Sequence, residues 1–200
     1  MDPKYFFDTY VFGWMCRDIE REIDWAKTGK DAGNALCALG LLAYTEFMAT
    51  QLPAPRRPLG GARQHFDAFF RELGQPYADL LDHSRLNVYD VFRCGLAHEY
   101  FVKGTCTIAM LNSTPGQLEV AGAFLPGSSC PSREPSAFVP KPVTCGVGQA
   151  SNGSLFFVVE QYCLDFRNAC DRLLHELQQR ATQYTSPTGY GQLSDSNASF

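Results

Sequence analysis

The chain has 200 residues, enough for one domain with a sizeable core or one domain carrying an embellishment. Its 45% hydrophobic and 13% aromatic content excludes a chain without a packed interior, and a formal net charge of −4 argues against a broad electrostatic grip on nucleic acid, whose non-specific affinity comes from Lys and Arg on phosphates. No apolar run reaches membrane-span length, and Met1-Asp2-Pro3-Lys4-Tyr5 lacks the basic start and apolar core of a targeting segment, so a cytoplasmic protein that touches no membrane is expected.

Helical spacing begins at Pro3, which suits a first-turn position. From there to about Lys27, Phe6 or Phe7, Tyr10, Trp14, Ile19 or Arg17, Ile23 and Ala26 recur at helical intervals and predict an inner face. Thr28-Gly29-Lys30 ends that helix, and Asp31 is placed to cap the next, which runs through Leu36, Leu39, Leu42, Tyr44 and Phe47 to about Gln51. This second helix is apolar almost all round, which predicts a position central to the bundle or to a subunit interface. Glu46 is its exception: a carboxylate in such surroundings either points outward at the helix end or meets a cation, for which Arg93 is the candidate.

Pro53, Pro55, Pro58, Gly60 and Gly61 mark a loop that contains Arg56 and Arg57. Such charges are either solvated or, in a nuclease, guides for a phosphate strand together with Lys103. A third helix spans about 62–73 with Phe66, Phe69, Phe70 and Leu73 inward; a fourth starts near Pro76 with Tyr77, Leu80 and Leu81. A continuation from Arg85 carries Val88, Val91, Phe92 and Leu96. His65 and His83 read as surface or capping residues.

That last segment ends in Arg93-Cys94-Gly95-Leu96-Ala97-His98-Glu99-Tyr100, which joins an always-charged planar donor fork to an imidazole able to move protons near neutrality. The combination suits phosphate chemistry. It also suits a plain helix end, where both charges favour the C-terminal dipole and Asp90 lies three residues before Arg93 at ion-pair spacing. On a regular helix five positions place Arg93 and His98 roughly 140° apart, so they share no stripe unless Gly95 loosens the turn.

After Gly104 the texture changes. The runs 105–111 and 117–120, separated by Asn112-Ser113-Thr114-Pro115-Gly116, predict a hairpin; 126–153, rich in Gly, Pro and Ser, reads as a long loop, with Gly146-Val147-Gly148 in coil. Residues 154–159 predict a third strand of a small antiparallel sheet. A final helix from Glu160 to about Thr182 places Tyr162, Phe166, Ala169 or Cys170, Leu173 and Leu177 on one face, with His175 in solvent, and the tail 183–200 has little to bury.

The motif with its flanking helices resembles the HEPN domains (higher eukaryote and prokaryote nucleotide-binding), over roughly residues 1–103 and the last long helix. The resemblance implies a mainly α fold: one HEPN-like helical bundle over 1–182, with 104–159 as a small antiparallel β insert before the last helix and 183–200 as a disordered tail. It implies a homodimer in which two motifs face each other, and in active members a metal-independent endoribonuclease of a toxin or defence system that needs no cofactor. There the ribose 2′-hydroxyl attacks the adjacent phosphate and leaves a 2′,3′-cyclic end. His98 would be the general acid or base and Arg93 would stabilise the pentacovalent phosphate, supported by Glu46, Asp90 and Tyr100. Cys94 stands where many active members carry a polar residue. Other members keep the fold as a non-catalytic dimerisation, nucleotide-binding or partner-binding module, and that alternative stands beside the first. Tyr100 completes a pattern similar to toxins silenced when an antitoxin adenylylates the tyrosine; its other reading is an interface aromatic.

Eight cysteines form no Cys-x-x-Cys pair, and no histidine pair has ligand spacing, so no metal site is expected. Cys16, Cys37, Cys163 and Cys170 fall in apolar helical patterns where a thiol acts as a small hydrophobe, whereas Cys130 and Cys145 flank a proline-rich loop and could pair in an oxidising compartment.

Overall fold

The computed structural model describes residues 2–27, 34–104, 106–111, 118–119, 143–150 and 153–185. The expected break at Thr28-Gly29-Lys30, the Asp31 cap and Cys130 lie outside the described residues; of the tail expected over 183–200, residues 183–185 continue the last helix and the rest lie outside them.

The first helix, α1, is a continuous run of three parts, Pro3–Phe6, the π-helical Phe7–Cys16 and Arg17–Lys27. Asp2 starts it: its carboxylate accepts from the backbone N–H of Lys4 at 3.2 Å and of Tyr5 at 3.3 Å, and Pro3 follows at a position where no N–H is needed. The π-helical part changes which side faces inward. Phe7, Val11, Cys16, Ile19 and Ile23 are buried, and the five-residue step from Val11 to Cys16 matches the i→i+5 hydrogen-bond span of the π-helix. Trp14, expected inside on 3.6-residue spacing, is therefore 53% exposed.

Helix α2 (Asn34–Met48, followed by the 3-10 turn Ala49–Gln51) occupies the centre, packed against α1 and against elements introduced below. Helices α3 (Ala62–Glu72) and α4 (Gln75–His83) follow, then the π-helical α5 (Tyr89–Glu99), and after the sheet the long α6 (Val159–Thr185). Helix α2 touches α1, α3, α5, α6 and the first strand. The inward residues expected for α3, α5 and most of those for α6 are buried: Phe66, Phe69, Phe70 and Leu73; Val88, Val91, Phe92 and Leu96; Tyr162, Phe166, Ala169, Cys170 and Leu173. Each large side chain so placed contributes roughly 1.5–3 kcal/mol of transfer free energy. His175 is exposed, His65 Nδ1 lies 3.0 Å from the Gly61 carbonyl, and His83 Nδ1 lies 2.9 Å from that of Asp79, both at helix-local positions.

Strands β1 (Thr107–Leu111), β2 (Leu118–Glu119), β3 (Val147–Gln149) and β4 (Leu155–Val158) form a mixed sheet in the order β2-β1-β4-β3. The expected hairpin is present, with Met110 opposite Glu119. The expectation of an antiparallel sheet is corrected: β1 and β4 run parallel, with Ile108 opposite Phe157. Strand β4 feeds straight into α6, and a parallel neighbour requires a long connection, which the chain between β2 and β3 supplies. Strand β3 lies within the stretch read as a loop; three residues carry no alternation to recognise, and its strand character comes from pairing with β4.

The sheet is part of the core rather than an appendage. Ile108, Met110, Val147, Leu155 and Phe157 join the same apolar cluster as the helices, and Phe157 stacks on Tyr162 (4.6 Å, 28°) and meets Phe92 at 5.7 Å. Tyr162 in turn shares a 2.8 Å hydrogen bond with Thr45, whose hydroxyl donates to the Leu41 carbonyl. A second polar link holds β3: the Tyr77 hydroxyl donates to Asp165 and accepts from the Gly146 N–H at 2.8 Å. A Cβ at Gly146 would come within 2.3 Å of the Tyr162 Cα, so only glycine permits this approach of the strand to α6.

Candidate functional site

Asn87 lies just ahead of helix α5, and its side-chain oxygen accepts from the Asp90 N–H at 3.0 Å, satisfying an otherwise unpaired donor of the first turn. Asp90 itself is exposed in that turn, where its charge complements the dipole. With Val88, Val91, Phe92 and Leu96 anchored in the core, the opposite sides of the helix carry the motif.

The π-helical winding alters the geometry expected for that motif. In this winding the residue five positions on hydrogen-bonds back to residue i and so lies one turn above it. Arg93 and His98 are five apart, as are Tyr89 and Cys94, so each pair occupies neighbouring turns of one side instead of diverging as on an α-helix.

Glu46 adopts the paired one of its two expected settings. Its Oε2 lies 3.2 Å from Arg93 Nε, with the two side chains 25% and 23% exposed. Both atoms are shielded from solvent, and the contact is an ion pair whose N–H is not aimed along the N–O line; neither atom has a hydrogen-bond partner among the described residues. Holding the guanidinium by its Nε edge leaves the terminal nitrogens as the fork that meets an anion. Arg93 pairs with Glu46 and not with Asp90. Tyr89 borders the pair and packs on Phe66 at 5.3 Å; burial raises its phenol above the usual range, the Glu46 and Cys94 charges add to the rise, and Arg93 opposes it. Tyr89 was not singled out from the sequence, and its only signal there is that it precedes Cys94 by the interval separating Arg93 from His98.

His98 is exposed, and among the described residues no group hydrogen-bonds to its ring. The helix then ends sharply. Tyr100 takes the left-handed conformation (φ 62°, ψ 9°), its N–H turned back to the Gly95 carbonyl, which the Phe101 N–H also approaches at 3.3 Å. The returning chain crosses α5 closely: Lys103 N–H donates to the Val91 carbonyl at 3.3 Å, and a Cβ at Gly95 would meet the Phe101 carbonyl at 2.5 Å. Gly95 is thus required by the crossing chain. Tyr100 is 67% and Phe101 39% exposed.

Each of the basic residues expected to bind substrate has a partner within the chain. Arg56 Nη1 donates to both Glu72 carboxylate oxygens at 2.8 Å, and Arg56 also pairs with Glu176 on α6; Arg57 Nε donates to the Leu52 carbonyl at 2.8 Å; Lys103 pairs with Glu99 at 3.1 Å. Of the three, Lys103 is the one on the chain that crosses α5. An open depression of about 520 Å³ along α6, lined by Glu176, Gln179, Arg180 and Gln183, contains no motif residue. Among the described residues no group of three or more His, Cys, Asp or Glu is placed to hold a metal ion, and no helix is long and apolar enough to cross a membrane. Cys145, considered above for a disulfide, is a free thiol donating to the Val147 carbonyl. Compared with known proteins, the chain matches no family model, no curated protein and no solved structure.

Proposed function

We propose that this chain is a metal-independent endoribonuclease of the HEPN type, acting as a homodimer in a toxin or defence system. The observation that carries the reading is the π-helical winding of α5, which sets Arg93 and His98 on successive turns of one side, the first oriented by Glu46 and the second open to solvent. In this reaction one His98 removes the proton from a ribose 2′-hydroxyl, and the 2′-oxygen bonds to the adjacent phosphorus. The bond from phosphorus to the 5′-oxygen breaks, and that oxygen takes a proton from the second subunit's copy of the same histidine. The products are a 2′,3′-cyclic phosphate and a 5′-hydroxyl. Arg93 carries the charge that builds on the phosphoryl oxygens.

The test is RNA cleavage in the presence of chelator, with cyclic-phosphate ends sought on the products. His98→Ala is expected to lower the rate about 10²–10⁴-fold. Arg93→Ala should lower it about 10³–10⁵-fold. Cleavage that persists in His98→Ala removes the imidazole from the mechanism. A second reading, a non-catalytic dimerisation or partner-binding module, is favoured by one observation: the His98 ring has no orienting hydrogen bond among the described residues. That reading expects no cleavage by the wild-type chain, with partner capture and dimerisation intact in Arg93→Ala.

A further inference from the structure

We propose that Tyr100 is a nucleobase-stacking residue, whose ring supports a base of single-stranded RNA next to the phosphate handled by Arg93 and His98. The proposal rests on the ribonuclease reading and adds the contact that holds the substrate. Its starting point is a backbone outlier. Tyr100 is the one non-glycine residue with positive φ among the described residues. A helix end needing that conformation ordinarily takes glycine, because a Cβ crowds the neighbouring carbonyl.

The conformation is imposed by the surroundings rather than by the tyrosine. The double approach to the Gly95 carbonyl, burial of Val102 and the Lys103-to-Val91 hydrogen bond hold the crossing chain on both sides of this residue. Within one chain, burial of the ring does not offset the strain either, since Tyr100 is 67% exposed there. Phe101 meets it T-shaped, with centroids 6.0 Å apart and planes at 77°, a contact that occupies at most one face of the Tyr100 ring. What remains is a large aromatic face held in the open, at a conformational cost, two residues from the exposed imidazole. Strain kept without packing to repay it points to function.

The ligand class follows from charge and chemistry. The chain is net negative, and Arg56, Arg57 and Lys103 are occupied by internal partners, so backbone phosphates offer little affinity. An aromatic face instead stacks on any unpaired base without needing positive charge.

The test uses the full chain and a short fluorescent oligoribonucleotide made non-cleavable by a 2′-deoxy substitution, read by anisotropy. Tyr100→Phe should bind within about twofold of wild type, whereas Tyr100→Gly and Tyr100→Asn should bind about 5- to 150-fold more weakly. Both of the latter accept the left-handed backbone, so their thermal midpoints should equal or exceed that of wild type. Replacing one nucleotide with an abasic residue should weaken wild type and leave Tyr100→Gly unchanged. Equal binding and cleavage by wild type and Tyr100→Gly overturns the stacking role alone. Loss in Tyr100→Phe as large as in Tyr100→Gly also overturns it, by transferring the role to the hydroxyl. A wild-type chain that neither binds nor cleaves RNA overturns the ribonuclease reading and this proposal together.

Discussion

Arg93 is a half-buried cation with one carboxylate on its Nε edge, and that edge decides how the rest of the guanidinium is presented. Glu46→Gln keeps the shape and removes the charge. Under the proposed ribonuclease function, the expected outcome is about a 10- to 100-fold loss of kcat with little change in KM, because a misaimed fork fails in the transition state more than in binding. Stability should drop by about 1–2 kcal/mol, between the small value of an exposed pair and the larger one of a buried pair broken from one side. Single-turnover cleavage and urea titration of the same variant separate the two effects. The candidate pairing of Glu46 with Arg93 was legible because a lone carboxylate on an apolar helix needs a partner; the Tyr89 contact was not, since a tyrosine before the motif carries no such demand.

At the scale of the element, the shape of α5 depends on the chain that crosses it. A methyl group at Gly95 would sit 2.5 Å from the Phe101 carbonyl, a backbone atom that cannot rotate away. Gly95→Ala is therefore expected to cost about 1–3 kcal/mol in urea unfolding and to displace Tyr100 from His98, so cleavage should fall by more than the unfolded fraction explains. Helix existence was readable in this segment from Val88, Val91, Phe92 and Leu96, all of which are buried. Its winding was not, because these apolar positions fit an α and a π period about equally over so short a run. The same indeterminacy in α1 left Trp14 expected inside and found outside.

For the whole molecule, thiols inside the core tie stability to alkaline pH. Cys16 is pushed up to about 11 and Cys37 and Cys163 to about 12, in each case chiefly by burial. The unfolded chain releases these protons near an ordinary thiol value of roughly 8.5. The folded value is the raised one, so stability is whole below about pH 8.5 and is lost as pH climbs toward 11–12. Between pH 8 and pH 10 each thiol should withdraw roughly 1–2 kcal/mol under reducing conditions, and Cys163→Ala should flatten that slope in urea titrations.

Apolar spacing and turn residues were enough to place the helices, the hairpin of β1 and β2 and the strand before α6, since each is a pattern in adjacent residues that survives whatever it packs against. The Arg93 and His98 pair was legible for the same reason, as two chemically able groups within one short segment. The parallel pairing of β1 with β4, the strand at Val147–Gln149 and the pairing of Glu46 with Arg93 were decided by contacts between distant parts of the chain. Each depends on groups far apart in sequence, Ile108 with Phe157, Tyr77 with Gly146, Glu46 with Arg93, and no local pattern encodes which distant partner a group will meet.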